Sequence, residues 1–174
     1  MKTTIIGALM GFPLVLGAHV TGNGGDEPPL PIAQPSAPLM ATLTAYNAVP
    51  EQTDEVPDVT ASGAFSNPEV VAARSRDMGE VLPFGTIIAI EGPAATSSTC
   101  GYTRVGRSVG YRVIADTMNP KFTKRLDVLL ASTTEAIRLG VCSDVRFRIV
   151  GRIDVRKMPA TQKELVSIVK KIEK

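Results

Sequence analysis

The stretch Val113–Leu130, VIADTMNPKFTKRLDVLL, decides how this chain is read. It holds two short apolar runs, Val113–Ala115 and Leu126–Leu130, and each carries one acidic residue, Asp116 and Asp127. Apolar runs of this length read as strands buried on at least one face. Burying an unpaired carboxylate costs several kcal/mol, so a strand of this kind accepts an aspartate only for a reason. The two aspartates are either structural braces or the chemistry of the protein.

Outward from this stretch, further strands are expected at Val70–Arg74, at Thr86–Glu91 and near Leu43, where Leu43 and Ala45 alternate with Thr42, Thr44 and Tyr46. DVRFRIVGRIDVR (Asp144–Arg156) alternates most regularly, with Val145, Phe147, Ile149, Ile153 and Val155 on one face and arginines on the other. That basic face reads as solvated sheet surface, because the interleaved aromatics of a nucleic-acid platform are missing. STTEAIRLG (Ser132–Gly140) has the start and stop of a short helix. TQKELVSIVKKIEK (Thr161–Lys174) pairs a Thr161/Glu164 capping box with an apolar stripe of Leu165, Ile168, Val169 and Ile172. Strands outnumber helices at short spacing, so the fold class is mainly β, a small barrel or sandwich.

The 174 residues suit one domain with flanking segments, and the formal net charge of +2 does not call for nucleic acid as a partner. Residues 1–20 read as a secretory signal peptide, with cleavage sites offered after Ala18 and Gly22. A membrane would be met only through that segment if it stayed uncleaved. No cysteine follows its apolar run, which excludes a lipoprotein anchor. Residues 21–40 are Pro-rich and read as a linker, 41–156 as the barrel, and 157–174 as the C-terminal helix. The expected location is secreted or cell-envelope. In an oxidising compartment the even pair Cys100 and Cys142 favours one disulfide over two buried thiols. Its loop of roughly 43 residues corresponds to about 4 kcal/mol of chain-entropy stabilisation.

Elimination narrows the chemistry. His19, beside the expected cleavage site, is the single histidine, so Ser-His-Asp and Cys-His catalysis lack a base and zinc lacks ligands. There is no phosphate-cradling glycine loop and no dinucleotide fingerprint, so neither metal nor cofactor is expected. Proton transfer then falls to carboxylates. Of Asp54, Glu55, Asp58, Asp77, Glu80, Glu91, Asp116 and Asp127, only the last two sit in apolar strand patterns.

Four stretches in this order, LTAYNAVPEQTDEVPDVTASG (Leu43–Gly63), LPFGTIIAI (Leu82–Ile90), VIADTMN (Val113–Asn119) and RLDVLLAS (Arg125–Ser132), resemble the bacterial three-aspartate domain. That domain is similar to the catalytic barrel of the MltA-type lytic transglycosylases. The resemblance runs from about Thr42 to Ile149. It implies a six-stranded double-psi β-barrel acting on peptidoglycan or a related polysaccharide, with Asp77, Asp116 and Asp127 as the defining aspartates. Asp116 and Asp127 stand 11 positions apart, the spacing of the paired acids in the transglycosylase barrel. Met118 and Asn119 replace two glycines of many relatives, and Gly92–Ser108 reads as an insertion.

The mechanism implied is lytic cleavage, with Asp127 as acid/base and Asp116 as a like charge that keeps it protonated. Tyr46, Thr60, Ser62, Gly63 and Asp77 are expected to bind substrate. An inverting glycoside hydrolase on the same barrel and a non-catalytic wall-binding module are the alternatives.

Overall fold

The computed structural model describes residues 38–49, 57–95 and 97–174, all within one unit, Ala33–Lys174. The expected signal peptide, most of the expected linker, His19, Asp54 and Glu55 lie outside the described residues. In chain order the elements are β1 (Leu39–Tyr46), β2 (Val71–Arg74), β3 (Thr86–Pro93), α1 (Tyr102–Val109), β4 (Tyr111–Thr117), β5 (Arg125–Leu129), α2 (Thr133–Leu139), β6 (Cys142–Arg152) and α3 (Gln162–Ile172). Single 3-10 turns occupy Arg76–Met78 and Val155–Lys157.

The strands pair in the order β1-β5-β2-β4-β3-β6, and β6 returns to pair with β1, so the six-stranded sheet closes in a ring. β1/β5 and β2/β4 run parallel; the other four pairs are antiparallel. One apolar cluster takes side chains from every strand, among them Leu43, Ala72, Ile88, Ile114, Val128 and Phe147, and therefore fills the ring. A second cluster lies on the outer face, where Leu165 and Val169 of α3 cover Val71, Ile87 and Val113. β2 and β4 are thus buried on both faces, which is why VAA and VIA show no polar alternation.

Local chemistry seats the helices. The Thr161 hydroxyl accepts the Glu164 N–H at 3.2 Å, and the Glu164 carboxylate accepts the Ala160 N–H at 2.8 Å. The Gln162 amide donates to the carbonyls of Tyr111 (2.7 Å) and Glu69, tying the start of α3 to the start of β4. In α2, Ser132 caps the Glu135 N–H, and Gly140 ends the helix at φ +62°.

Three boundaries differ from the sequence reading. β1 begins at Leu39, inside the expected linker, because Leu39 and Met40 pair with Phe147 and Arg146. The expected insertion holds all but the last residue of α1. Gly106 and β-branched residues weaken its helical signal, and burial of Val105 and Val109 supplies what propensity does not. β6 stops at Arg152, so Ile153–Arg156 leaves the sheet although its alternation continues. There the Ile153 N–H donates to the Gly85 carbonyl at 2.9 Å, and Asp154 caps the turn through the Arg156 N–H at 3.0 Å. A Cβ at Gly85, whose φ is +87°, would stand 2.0 Å from the Ile153 carbonyl oxygen, so this crossing requires glycine.

The arginine face of β6 is solvated surface. Arg148, for example, pairs with Glu173 at 3.1 Å and Glu91 at 3.5 Å. Cys100 and Cys142 form a disulfide, which fastens the segment before α1 to the start of β6.

Candidate active site

Register builds the site. Thr44 of β1 stands opposite Asp127 of β5, Asp127 opposite Ala73 of β2, and Ala73 opposite Asp116 of β4. Partners in register share a face, so these four side chains form one row across four strands. Leu126 and Val128 point into the ring, which turns Asp127 outward.

Asp116 reaches the same face by a different route. Ala72 pairs with Ile114 but Ala73 pairs with Asp116, so β4 carries one extra residue, Ala115, at a bulge. Strict alternation would have sent Asp116 into the ring with Ile114; the bulge re-aims it outward.

A cleft of about 420 Å³ opens over this row, lined by Asp116, Asp127, Ala73 and Tyr46. Val59 and Ala61 of the 57–66 hairpin line it too, as do Met118, Asn119 and Phe122 from the β4–β5 connection. Arg76 is the single cation among its described lining residues.

The two carboxylates are held differently. Asp116 accepts three hydrogen bonds, from the Tyr46 hydroxyl (2.9 Å), the Ala61 N–H (2.9 Å) and the Thr117 N–H (2.8 Å). Asp127 accepts one, from the Thr44 hydroxyl at 2.8 Å. Burial pushes the Asp127 carboxyl up to about 6, against the pull of the Thr44 hydroxyl and the Arg125 cation. The like charge of Asp116 acts in the same direction but is the smallest of the named causes. Desolvation, rather than the neighbouring aspartate, is therefore what makes Asp127 a weak acid. Arg125 lies over the Phe122 ring at 4.6 Å, which steadies that cation. Burial, and after it the Asp116 carboxylate, raises the Tyr46 phenol, which remains a donor.

The structure brings Tyr46, Asp116 and Asp127 together in the cleft; the other residues expected to bind substrate do not line it. Thr60 is buried, with its hydroxyl 3.0 Å from both the Ser62 hydroxyl and the Ala64 carbonyl, and Gly63 closes the turn at φ +81°. This turn serves the site through Ala61, whose N–H holds Asp116. Asp77 is exposed and accepts the Lys124 N–H at 2.9 Å, bracing a residue in the left-handed region (φ +48°) just before β5. The Ser75 hydroxyl, then that N–H, hold the Asp77 carboxyl below the usual range.

Thr44, Ala73, Arg76 and Phe122 were not foreseen. Thr44 was within reach, since alternation puts it on the same face of β1 as Tyr46. Ala73 carries no signal of its own and gains its place only from register. Among the described residues no group of three or more His, Cys, Asp or Glu is arranged to hold a metal ion. Compared with known proteins, the chain matches no family model and no curated sequence.

Proposed function

We propose that this chain is an exported lytic transglycosylase that cleaves peptidoglycan through Asp127, and that its closed sheet is a double-psi barrel of the three-aspartate type. Two parallel pairs, β1/β5 and β2/β4, joined through the antiparallel β2/β5 pair, fit that topology. The observation that carries the reaction is Asp127 itself: a half-buried carboxyl, pushed by desolvation up to about 6, in a cleft that also contains a firmly held second carboxylate. An acid of that strength gives and takes a proton near neutral pH. Export rests on the N-terminal pattern and the disulfide; among the described residues no helix is long and apolar enough to cross a membrane.

In the proposed reaction the protonated Asp127 gives its proton to the glycosidic oxygen as the bond from C1 to that oxygen breaks. Asp116 faces the positive charge that grows on the ring. The C6 hydroxyl of the same muramyl sugar then bonds to C1, and Asp127 takes the hydroxyl proton. The products are a 1,6-anhydromuramyl end and a free sugar hydroxyl, with no water consumed and Asp127 restored to its acid form.

One observation favours the inverting hydrolase as a second reading. Ala73 separates the two aspartates, so their backbones stand two strand spacings apart, roughly 9–10 Å. Inverting enzymes keep their carboxyls roughly 6.5–9.5 Å apart to admit a water. Mass spectrometry of digested peptidoglycan separates the readings. We expect 1,6-anhydromuramyl ends, reduced roughly 10²–10⁴-fold in Asp127→Asn. Free reducing ends would instead establish hydrolysis, and glycan that binds without being cut would establish a binding module.

A further inference from the structure

We propose that Phe65 forms a second sugar subsite beside the cleft, which makes the ligand a linked glycan rather than a free monosaccharide. This rests on the glycan reading above. Phe65 is 67% exposed, the most exposed aromatic side chain among the described residues whose exposure stands out from the core. Its place in the fold gives that exposure a use. Phe65 pairs with Val59 in an antiparallel bridge, so the two side chains share a face, and Val59 is a lining residue of the cleft. The apolar lining therefore continues from the cleft onto an aromatic ring. Pyranose rings present apolar C–H faces to such rings, and a glycan threaded through the cleft would lay its next sugar there.

The hairpin that carries Phe65 is well braced. Ser66 N–H donates to the Asp58 carbonyl (2.9 Å) and Thr60 N–H to the Ala64 carbonyl (2.8 Å). The Ser62 N–H reaches the Ala115 carbonyl at the β4 bulge (3.0 Å), and the Ala61 N–H holds Asp116. A sugar resting on Phe65 thus bears on the same hairpin that positions one of the two carboxylates.

The chain contains no tryptophan, so Phe65→Trp creates a single-tryptophan reporter. It is titrated with β-1,4-linked N-acetylglucosamine tetramer and monomer, in an Asp127→Asn background so that nothing is cleaved. The tetramer is expected to shift the emission saturably to the blue, and the monomer not to. In a parallel calorimetric titration Phe65→Ala should bind the tetramer roughly three- to ten-fold more weakly than the Phe65 chain, with monomer binding unchanged. On peptidoglycan, Phe65→Ala should raise KM and leave kcat in place. Equal tetramer affinity with and without Phe65, or a silent reporter, would overturn the subsite even if anhydromuramyl products form. A responsive reporter with no such products would uphold the subsite and overturn the transglycosylase reading. Glycans that neither bind nor react would overturn both.

Discussion

Asp127 is the residue whose protonation couples the stability of the fold to pH. Its folded pKa of about 6 stands above the ordinary 3.8, so folding favours the protonated form. The associated stabilisation is complete below about pH 4 and is lost as pH rises through 6, a swing of up to about 3 kcal/mol. Asp127→Asn stays neutral throughout. It should therefore match the parent in acid and exceed it by up to about 3 kcal/mol at pH 7.5, read by urea denaturation at each pH. A parent chain whose stability held level from pH 4 to 7.5 would show that Asp127 is not a desolvated acid. Thr44 offers a finer test, because its hydroxyl lowers the Asp127 pKa. Thr44→Val keeps the shape and removes that donor. The Asp127 pKa should then rise, and the alkaline limb of kcat/KM should move to higher pH with the fold intact.

At the scale of elements, Arg112 shows what joins α1 to the sheet. It lies on β4 at 1% exposure, and its guanidinium donates to the carbonyls of Val109 (2.5 Å), Pro68 (2.6 Å) and Ser108. Two of those carbonyls end α1, where the helix has no partners of its own and its dipole favours a cation. Burial lowers the Arg112 pKa to about 10, with Glu69 opposing, so the side chain stays charged at neutral pH. Arg112→Met fills similar volume and leaves three carbonyls without that donor. It should lower stability by at least about 3 kcal/mol, measured by thermal or denaturant unfolding. The α3 stripe of Leu165, Ile168, Val169 and Ile172 and the α2 stop at Gly140 were both legible in the sequence, because capping and periodicity are local properties. α1 was not, because its partners lie on β4 and inside the ring.

Over the whole molecule the disulfide is the one covalent link between distant parts. Cys100 and Cys142 are 42 positions apart, a loop that spans α1, β4, β5 and α2. Chain entropy gives its removal a cost of about 4 kcal/mol. Replacing both cysteines by alanine should lower the melting temperature by roughly 10–15 °C. Because neither cysteine lines the cleft over Asp116 and Asp127, activity per folded molecule should persist at low temperature. A loss of activity that outran the loss of fold would tie the link to the cleft.

The sequence by itself determined that the chain is mainly β and where most strands lie; it singled out Asp116 and Asp127 among the carboxylates and favoured a disulfide between the two cysteines. Each of these follows from a local pattern: alternation, a turn residue, a charge inside an apolar run, or an even count of thiols. Tertiary structure decided which face each aspartate takes and what surrounds it. The alternation of β4 would have buried Asp116 inside the ring, and only its pairing with β2 exposes the extra residue, Ala115, that turns it outward. Tertiary structure likewise placed Ala73 between the two acids, left Asp77 and the Thr60–Gly63 turn outside the lining of the cleft except for Ala61, and gave Asp127 its weak acidity. Register and desolvation belong to strands brought together from distant parts of the chain, and no single segment carries them.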